Sequence, residues 1–589
     1  MNVPAVGPGG SRLGRYLPIL DWARGYQRAD LVGDLIAGLI VAIMLVPQSM
    51  AYALLAGLPP QVGLYASIAP LLAYALLGSS RTLAVGPVAI VSLLVAGSAA
   101  ALAEPGSPEY LGVALSLALL SGLIQLAMGL LRLGQVVNFM SHPVISGFTS
   151  AAAITIGLSQ VKTLLGLKLP RSEAVWDLLG LLAAHLGETR LVTLAVGLGA
   201  IAILLGVRGP LQRRLLAAGM APGKVLPLAK AGPLLAVLAG IAALRLLPAP
   251  LAAQLEVVGE IPAGLPPVTW PGFDLALWQR LLPAALVISF VGFLESFAVA
   301  KSLATRRREP IEANQELIGL GAANLAAALT GGYPVTGGFS RSVVNYDAGA
   351  RTGMASIFTA GLVALTVWLL TPLLHDLPKA VLAAIVIVAV AKLVDVAALR
   401  WIWRYNRADG MALVATFLLT LGLGVELGVI AGAGLALALH TWRSSVPHVA
   451  VVGRVPGTEH YRNIERHAVE TDPRVLAVRI DESLYFPNAQ WLETVLQRGL
   501  ASQPEARHLL LIFSAVNFVD ASALESLERT IDALADAGVT LHLAEVKGPV
   551  MDRLQRVDFA DRLGAHGGRI FLSTHAAMLA LTETEEVRT

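Results

Sequence analysis

The stretch GSSRTLAVGPVAIVS, residues 78–92, places an arginine, three serines and a Gly-Pro pair among apolar residues. Glycine is a poor helix former, and proline lacks the backbone NH that a helix interior uses. Proline does suit the first position of a helix, where that NH would have no partner. We therefore expect Pro87 to begin a helix whose free NH groups, about Val88 and Ala89, can receive an anion.

The carboxyl group of Glu295 is the second candidate for chemistry. It lies within VISFVGFLESFAVAK, residues 287–301, among mostly apolar neighbours. An unpaired carboxylate is costly in apolar surroundings, so an ionisable residue there indicates function by default. The alternative is a purely structural role as the partner of Arg341.

The composition indicates that these residues lie in a membrane. Hydrophobic residues make up 56% of the 589 residues, charged residues make up 14%, and the mean hydropathy is +0.69. Such values are typical of a polytopic membrane protein. Of the 83 charged residues, 35 lie in the last 147 positions. We therefore predict an N-terminal segment (1–30), a transmembrane domain (31–442) and a soluble tail (443–589). There is no cysteine, and no metal or cofactor is expected.

The number of membrane spans follows from the apolar runs. About twelve runs reach the roughly 20 residues that a spanning helix needs, and two more are short or broken, so we predict fourteen spans. Loops rich in Lys and Arg face the cytoplasm. The basic segments 213–224 and 301–310 fit this rule, and residues 246–279 contain neither Lys nor Arg. The protein is predicted to lie in the inner membrane, with both termini in the cytoplasm. No cleavable signal peptide is predicted. The basic residues before the first span are Arg12, Arg15, Arg24 and Arg28.

An internal repeat is visible when residues 61–92 are aligned with residues 314–345 without a gap. Identities alone are weak support in so Ala- and Leu-rich a chain. The breaks also correspond, with LGSSRTLAVGPVAIVS in the first half and TGGYPVTGGFSRSVVN in the second. Seven spans separate them, so the halves, about 31–247 and 280–442, are predicted to have opposite orientations, as in inverted-repeat transporters.

The second break adds a positive charge to the predicted site. We expect a half-helix to begin near Ser340, with the NH groups of Phe339, Ser340 and Arg341 facing those of the first half-helix at mid-membrane. Non-helical backbone at that depth is tolerated where it lines a cavity or is buried in protein. Two helix N-termini and an arginine would form an anion site. The alternative is that each break is only a kink, which two breaks at matching positions disfavour.

Two motifs resemble those of a known family. Residues 46–92, VPQSMAYALLAGLPPQVGLYASIAPLLAYALLGSSRTLAVGPVAIVS, resemble the signature region of the SulP anion transporters, the sulfate permease family. Residues 337–353, GGFSRSVVNYDAGARTG, are similar to the tenth-helix region of that family. The resemblance extends over nearly the whole chain. It implies fourteen helices in two inverted repeats of seven, a core domain that moves against a gate domain, and a homodimer.

The resemblance also implies roles for individual residues. It places Gln48 and Tyr52 on the first helix facing the anion, and their spacing of four residues puts both on one helical face. The alternative is a packed amide and phenol that neighbours satisfy. Glu295 matches an acidic position in the eighth helix that is linked to proton symport. We expect the empty site to hold Glu295 ionised against Arg341, and the loaded site to hold it neutral.

The tail resembles a STAS domain. Four segments are predicted as strands or a helix: VLAVRI, HLLLIFSAV, the helix SALESLERTIDALADAG, and VTLHLAEV. Asp520 and Ser522 match a motif whose hydroxyl residue is phosphorylated in related regulatory proteins. Ala521 and Ala523 replace the usual residues of that motif, which favours a plain helix cap by Asp520 over a switch. A cytoplasmic partner of this domain is possible.

The residues favour some functions over others. An enzyme is disfavoured because His142 and His185 are isolated and no catalytic cluster is evident. A membrane anchor for a signalling module would not need two broken helices. Proton-coupled sulfate uptake is favoured. A sodium-coupled bicarbonate carrier, a dicarboxylate carrier and an anion exchanger remain open, because backbone NH groups and one arginine would accept any of these anions.

Overall fold

The computed structural model describes residues 17–135, 141–169, 175–220, 231–262 and 264–583. It divides the chain into two compact units, Met1–Ala436 and Leu437–Thr589. The boundary falls within the last apolar helix, close to the predicted boundary at 442. Arg12 and Arg15, and part of the basic segment 213–224, lie outside the described residues.

The first half of the membrane unit contains eleven described α-helices and one short strand. In chain order they are α1 (Ile19–Arg24), α2 (Arg28–Ala56), α3 (Pro60–Tyr65), α4 (Ala69–Leu77), β1 (Val85–Gly86), α5 (Ala89–Ala100), α6 (Pro108–Leu130), α7 (His142–Leu165), α8 (Val175–Ala184), α9 (Leu191–Gly206), α10 (Gln212–Ala217) and α11 (Gly232–Leu246). The short helix α12 (Ala249–Ala252) lies in the connection to the second half.

The second half repeats this order of elements. It consists of α13 (Leu275–Arg307), α14 (Ala313–Leu329), β2 (Thr336–Gly337), α15 (Phe339–Asp347), α16 (Met354–Leu369), α17 (Thr371–Leu374), α18 (Lys379–Val390), α19 (Val396–Tyr405), α20 (Arg407–Leu423) and α21 (Val425–Ser445). In each half a long helix, a helix leading into a break, a strand and a half-helix follow one another. The ten-residue helices α8 and α19 occupy the same place in the two halves.

Within the described residues, the predicted fourteen spans in two inverted sets of seven are confirmed. The first set is α2, α3 with α4, α5, α6, α7, α9 and α11, and the second is α13, α14, α15, α16, α18, α20 and α21. Among the described residues, seven helical segments are long and apolar enough to cross a membrane by themselves. The others are shorter, as expected for half-helices and for elements buried in protein.

The spans form two packed groups. In one group α6 packs against α13 and α14, and α2 packs against α16; in the other, α7 packs against α18 and α20. Glycines permit a close crossing between α6 and α14. A Cβ atom on Gly122 would lie 2.9 Å from the carbonyl oxygen of Gly321, and one on Gly321 would lie 2.9 Å from that of Gly122. Neither position can carry a side chain without moving the two backbones apart.

A buried carboxylate fixes the backbone that leads into the first break. Glu316, at the start of α14, accepts hydrogen bonds from the hydroxyl of Tyr74 (2.7 Å) and from the backbone NH groups of Ser79 (2.8 Å) and Ser80 (3.0 Å). The Ser79 hydroxyl donates a further bond at 2.7 Å. Helix α4 ends at Leu77, so these bonds satisfy NH groups that no helix uses.

The tail unit is a six-stranded sheet with helices. Its strands are β3 (Val449–Arg454), β4 (Tyr461–Asn463), β5 (Val475–Ile480), β6 (His508–Ile512), β7 (Thr540–Ala544) and β8 (Ile570–Phe571), in the sheet order β4-β3-β5-β6-β7-β8. β5 to β8 are parallel, whereas β3 and β4 are antiparallel to their neighbours. The helices are α22 (Ala489–Ser502), α23 (Ala521–Asp536), α24 (Gly548–Gln555), α25 (Phe559–Ala565) and α26 (Thr574–Glu583). The four predicted segments correspond to β5, β6, α23 and β7.

Candidate anion site

The two breaks form a short antiparallel ribbon. Val85 pairs with Gly337 and Gly86 with Thr336, and the NH of Gly338 donates to the carbonyl of Ala84 at 3.1 Å. Because the strands run in opposite directions, α5 and α15 leave the ribbon at opposite ends. The N-termini of two half-helices, one from each repeat, are therefore held beside the same ribbon.

The half-helices begin close to the predicted positions, with one correction. Pro87 does not begin a helix: Val88 is extended (φ −134°, ψ 153°) and Ala89 is the first helical residue. Pairing of β1 keeps the chain extended, and the Pro87 carbonyl is used by another side chain. The second half-helix begins at Phe339, with Gly338 before it. Strand β2 lies 251 residues after β1, so the ungapped alignment is out by two residues here. Among the described side chains, none caps either N-terminus.

The two helix starts differ in exposure. Val88 and Ala89 are buried, at 5% and 6% exposure. Phe339 is 53% exposed, and Ser340 is exposed beside it. The second break therefore presents its helix start to open space, while the first is covered by protein.

Arg341 is the positive charge of the site. Its side chain is 2% exposed, and Nη1 donates to the carbonyl of Pro87 at 2.5 Å, so it reaches across to the first break. Nε and Nη2 are buried without a partner among the described residues. A Cβ atom on Gly338 would lie 2.9 Å from Nη2, and one on Gly86 would lie 3.3 Å from it. The guanidinium thus occupies space that two glycines leave open, with two donors available to an anion.

Glu295 lies near this charge but does not contact it. Its Oε2 atom is buried without a hydrogen-bond partner, and in the described part of the chain it forms no ion pair with Arg341. The two groups still interact electrostatically. The expectation that Arg341 holds Glu295 directly is therefore wrong for this structure. The bond from Arg341 to Pro87 explains the difference, because it directs the guanidinium toward the ribbon.

Gln48 and Tyr52 both lie in α2 and are buried, at 6% and 7% exposure. Tyr52 lies within electrostatic range of Arg341 and of Glu295, so its phenol is near the charged groups of the site. Gln48 lies one turn earlier in the same helix. Their roles as lining residues stay predictions.

Hydroxyl groups support the second break, and most of them cannot be recognised from the sequence. Ser296 Oγ accepts from the NH of Gly337 (2.8 Å) and shares a hydrogen bond with Thr336 Oγ1 (2.5 Å). Thr336 Oγ1 also donates to the carbonyl of Gly292 at 2.6 Å. Ser342 Oγ accepts from the NH of Ala84 at 2.9 Å. The sequence does contain an indication of these hydroxyl contacts, since Ser296 follows Glu295 and small hydroxyl residues flank the glycines of the second break.

Two further side chains bind the approach to the second break. Asn324 accepts from the NH of Val335 (2.8 Å) and donates to its carbonyl (3.0 Å), which extends the hydrogen bonding of the strand into α14. The hydroxyl of Tyr333 is 2.8 Å from that of Ser92, one turn inside α5. These bonds hold the backbone rigidly where it has no helical partners.

The predicted motif of the tail forms a helix cap. Asp520 Oδ1 accepts from the NH of Ala523 at 2.8 Å at the start of α23, and Oδ2 accepts from the NH of Phe486 at 2.9 Å. Ser522 is exposed in the first turn. The capping role of Asp520 is confirmed, and a regulatory role of Ser522 stays a prediction.

Comparison with known proteins gives two family matches. The family model described as sulfate permease family matches residues 31–416, and the STAS domain model matches residues 466–577. The chain is 37% identical over 575 residues to sulfate transporter 4.1, chloroplastic, of Arabidopsis thaliana, covering 95% of this chain and 82% of that one. It is 32% identical over 585 residues to high affinity sulfate transporter 2 of Stylosanthes hamata, covering 95% and 85%.

Solved structures agree with this result. The murine Slc26a9 anion transporter in the inward-facing state superimposes with a TM-score of 0.89 at 25% identity, covering 99% of this chain and 97% of that one. The transmembrane domain of the cyanobacterial bicarbonate transporter BicA gives a TM-score of 0.58 at 24% identity, covering 70% and 98%. The second likeness concerns the fold alone.

Proposed function

The chain belongs to the sulfate permease family, whose members in these comparisons are transporters rather than enzymes, and from this premise we propose that it takes up sulfate together with protons. The relatives named above are sulfate transporters. The single observation that carries the proposal is Arg341, buried between two half-helix starts with two unpartnered donors. An oxyanion is the ligand that this arrangement suits.

The anion would be bound mainly by backbone groups and by one charge. The free NH groups at the starts of α5 and α15, about Val88 and Ala89 in one and Phe339 to Arg341 in the other, donate to its oxygen atoms. Nε and Nη2 of Arg341 can donate in parallel to two oxygens of one anion. Gln48 and Tyr52 would complete the wall on the side of α2.

Glu295 would couple the anion to a proton. When ionised, its charge opposes that of an anion beside Arg341, and when protonated it does not. Proton and anion therefore favour each other's binding, and by linkage the anion affinity should rise as pH falls through the titration of Glu295. Glu295 is not in contact with Arg341, so its proton can come and go without breaking an ion pair.

Transport would proceed by alternating access. The group that contains α2, α6, α13, α14 and α16 also carries both breaks, whereas α7, α9, α18 and α20 pack with one another. Movement of the first group as a rigid body against the second would carry the site between the two membrane faces.

The decisive experiment is uptake of labelled sulfate into proteoliposomes with an imposed proton gradient. Wild type should accumulate sulfate, Glu295→Gln should exchange sulfate but lose proton-driven accumulation, and Glu309→Gln is the control, since Glu309 lies at a helix end and pairs with Arg81 at 3.9 Å. Full accumulation by Glu295→Gln would refute the coupling role and favour an exchanger.

Sodium-coupled bicarbonate transport is the second candidate. It is favoured by the hydroxyl oxygens of Ser296 and Thr336, which converge one residue from the Glu295 backbone and are of the type that hard cations bind. The same vesicles, with labelled bicarbonate or succinate and a sodium gradient, distinguish the candidates. Accumulation driven by sodium alone would replace the proton proposal.

The remaining proposals concern assembly and location. We place the protein in the inner membrane with both termini cytoplasmic, as a homodimer, with domains 1–30, 31–442 and 443–589. Deletion after Arg443 should weaken dimerisation or membrane expression and leave sulfate binding intact. Loss of sulfate binding in a correctly inserted truncation would argue against assigning sulfate binding to the transmembrane domain alone.

A further inference from the structure

Two short helices, α8 and α19, occupy matching places in the inverted repeats. α8 follows the fifth span and α19 follows the twelfth, so an odd number of spans separates them and they lie at opposite membrane faces. Both pack against α7 and α20, and both expose large apolar or aromatic side chains. They can therefore be compared as the same element facing the two leaflets.

The two helices differ in charge. α19, VAALRWIWRY, contains Arg400 and Arg404, whereas α8, VWDLLGLLAA, contains Asp177 and no basic residue. Basic residues mark the cytoplasmic side of a membrane protein, which assigns α19 to that face. Anionic phospholipids give the cytoplasmic leaflet a negative surface potential. The charge of α19 thus complements the leaflet that it faces.

The two arginines of α19 are available to a ligand. Both side chains are exposed, and neither forms an ion pair or a side-chain hydrogen bond in the part of the chain that the structure describes. Their spacing of four residues places Arg400 and Arg404 one turn apart on one helical face. A guanidinium group can donate two parallel hydrogen bonds to a phosphate.

The surroundings of α19 are also net positive. Residues 392–409 contain four basic and two acidic residues, a net charge of +2. Asp395 caps the helix, since its carboxylate accepts from the NH of Ala398 at 2.8 Å. Asp409 lies in the first turn of α20. Among the described residues, neither carboxylate pairs with the arginines of α19.

Aromatic rings flank the arginines on the exposed side of α19. Trp401 (65% exposed) and Tyr405 (80% exposed) stack on each other, with ring centroids 5.8 Å apart and planes 2° from parallel. The ring of Trp403 lies against α20, where a Cβ atom on Gly410 would be 2.6 Å from it. Ile402 faces the protein and is buried. Exposed tryptophan and tyrosine beside basic residues are typical of a helix that lies at the head-group level of a bilayer.

We propose that α19 is a binding site for anionic phospholipids, with Arg400 and Arg404 on the head-group phosphate and the rings of Trp401 and Tyr405 beside the glycerol and the upper acyl chains. α8 also exposes a tryptophan, Trp176, but it has no cation and should not select anionic lipids. Lipid binding at α19 does not depend on the proposed transport function.

The test uses a fluorescent label on α19 and lipids that quench it. Because the chain has no cysteine, an exposed position beside the arginines, Ala397→Cys, can be labelled alone with bimane and reconstituted into phosphatidylcholine vesicles. Quenching by doxyl-labelled phosphatidylglycerol should exceed quenching by doxyl-labelled phosphatidylcholine, at the same mole fraction, by about threefold or more. Arg400→Gln/Arg404→Gln should abolish this preference. Arg213→Gln/Arg214→Gln is the matched control, because it removes two exposed arginines from α10, at the same membrane face.

A second label tests the comparison with α8. Gly180→Cys, where a Cβ atom meets nothing within 4 Å, should show no preference for the anionic quencher. Four outcomes would overturn the proposal. They are no preference at position 397, equal loss in the two double variants, an equal preference at position 180, and loss of the preference on addition of free glycerol phosphate, which would assign the arginines to soluble phosphates. Sulfate titration in the same preparation tests the proposed function separately.

Discussion

The two breaks are equivalent in topology and opposite in character. The first, around Val85–Gly86, is apolar, and its helix start is buried. The second, around Thr336–Gly337, contributes the arginine, an exposed helix start and hydroxyl groups that bind its own backbone. One repeat thus supplies backbone donors and shape, and the other supplies charge and support. The two halves of an inverted repeat can therefore contribute different chemical groups to one site.

The largest expected effect comes from removing the charge of the second break. Arg341→Ala should weaken sulfate binding about 10- to 100-fold, because hydrogen bonds from a charged group contribute about 1.5–3 kcal/mol each. Calorimetric titration of sulfate measures it, and Arg280→Ala, an exposed arginine early in α13, is the control. Equal affinities of the two variants would mean that backbone donors suffice.

A smaller effect should follow from displacing the guanidinium without removing it. A methyl group at Gly338 would lie 2.9 Å from Nη2 of Arg341, so the flexible end of the arginine must move. Gly338→Ala should retain the fold and weaken sulfate binding about tenfold, roughly 1.4 kcal/mol. Gly112→Ala, where a methyl group meets nothing within 4 Å, is the control. Unchanged affinity would show that the position of the guanidinium is not critical.

The support of the second break can be tested through stability. Ser296→Ala leaves the NH of Gly337 buried without a partner, which costs about 1–3 kcal/mol. The apparent Tm in detergent should fall, and sulfate should restore part of it if the site still forms. Thr366→Val, which removes a hydroxyl bonded only to its own helix, should change Tm little. Equal Tm values in the two variants would contradict a special role for Ser296.

The smallest effect concerns one side-chain hydrogen bond between the two repeats, from Tyr333 to Ser92 in α5. Tyr333→Phe removes a hydrogen bond to Ser92, whose hydroxyl still donates to the carbonyl of Val88 at 2.8 Å. A loss of about 0.5–1.5 kcal/mol is expected. A double-mutant cycle with Ser92→Ala isolates the coupling between the breaks. Strictly additive losses would mean that the two halves are supported independently at this point.

The elements of the fold could be predicted because the composition, the breaks in the apolar runs and the spacing of apolar residues each indicate helices or strands. Fourteen spans, two halves and the strands β5, β6 and β7 followed from apolar runs, glycine and proline positions and alternating residues. The helix start was wrongly placed at Pro87, because helix propensity takes no account of a strand partner 251 residues away. Pairing with Thr336–Gly337 keeps the chain extended past the proline.

Site residues could be predicted only where a charge or a helix break can be recognised from the neighbouring residues in the sequence. Arg341 and Glu295 stand out because charges are rare in apolar segments. Their separation could not be inferred, since it depends on Arg341 reaching Pro87 in the other repeat. The roles of Ser296, Thr336 and Asn324 were likewise hidden, because a hydroxyl or amide in an apolar helix has the same appearance whether it binds its own helix or a distant strand.

The ribbon between the breaks also constrains how the protein is made. Among the described residues, strand β1 pairs with β2, which is translated 251 residues later, and Glu316 reaches Ser79 over a similar interval. At about 5–20 residues per second, the ribosome needs roughly 10 to 50 s to deliver the missing strand. For that time the inserted first repeat has polar backbone at membrane depth without its final partners. The nascent chain is therefore most vulnerable to quality-control proteases midway through synthesis, before the second repeat enters the bilayer.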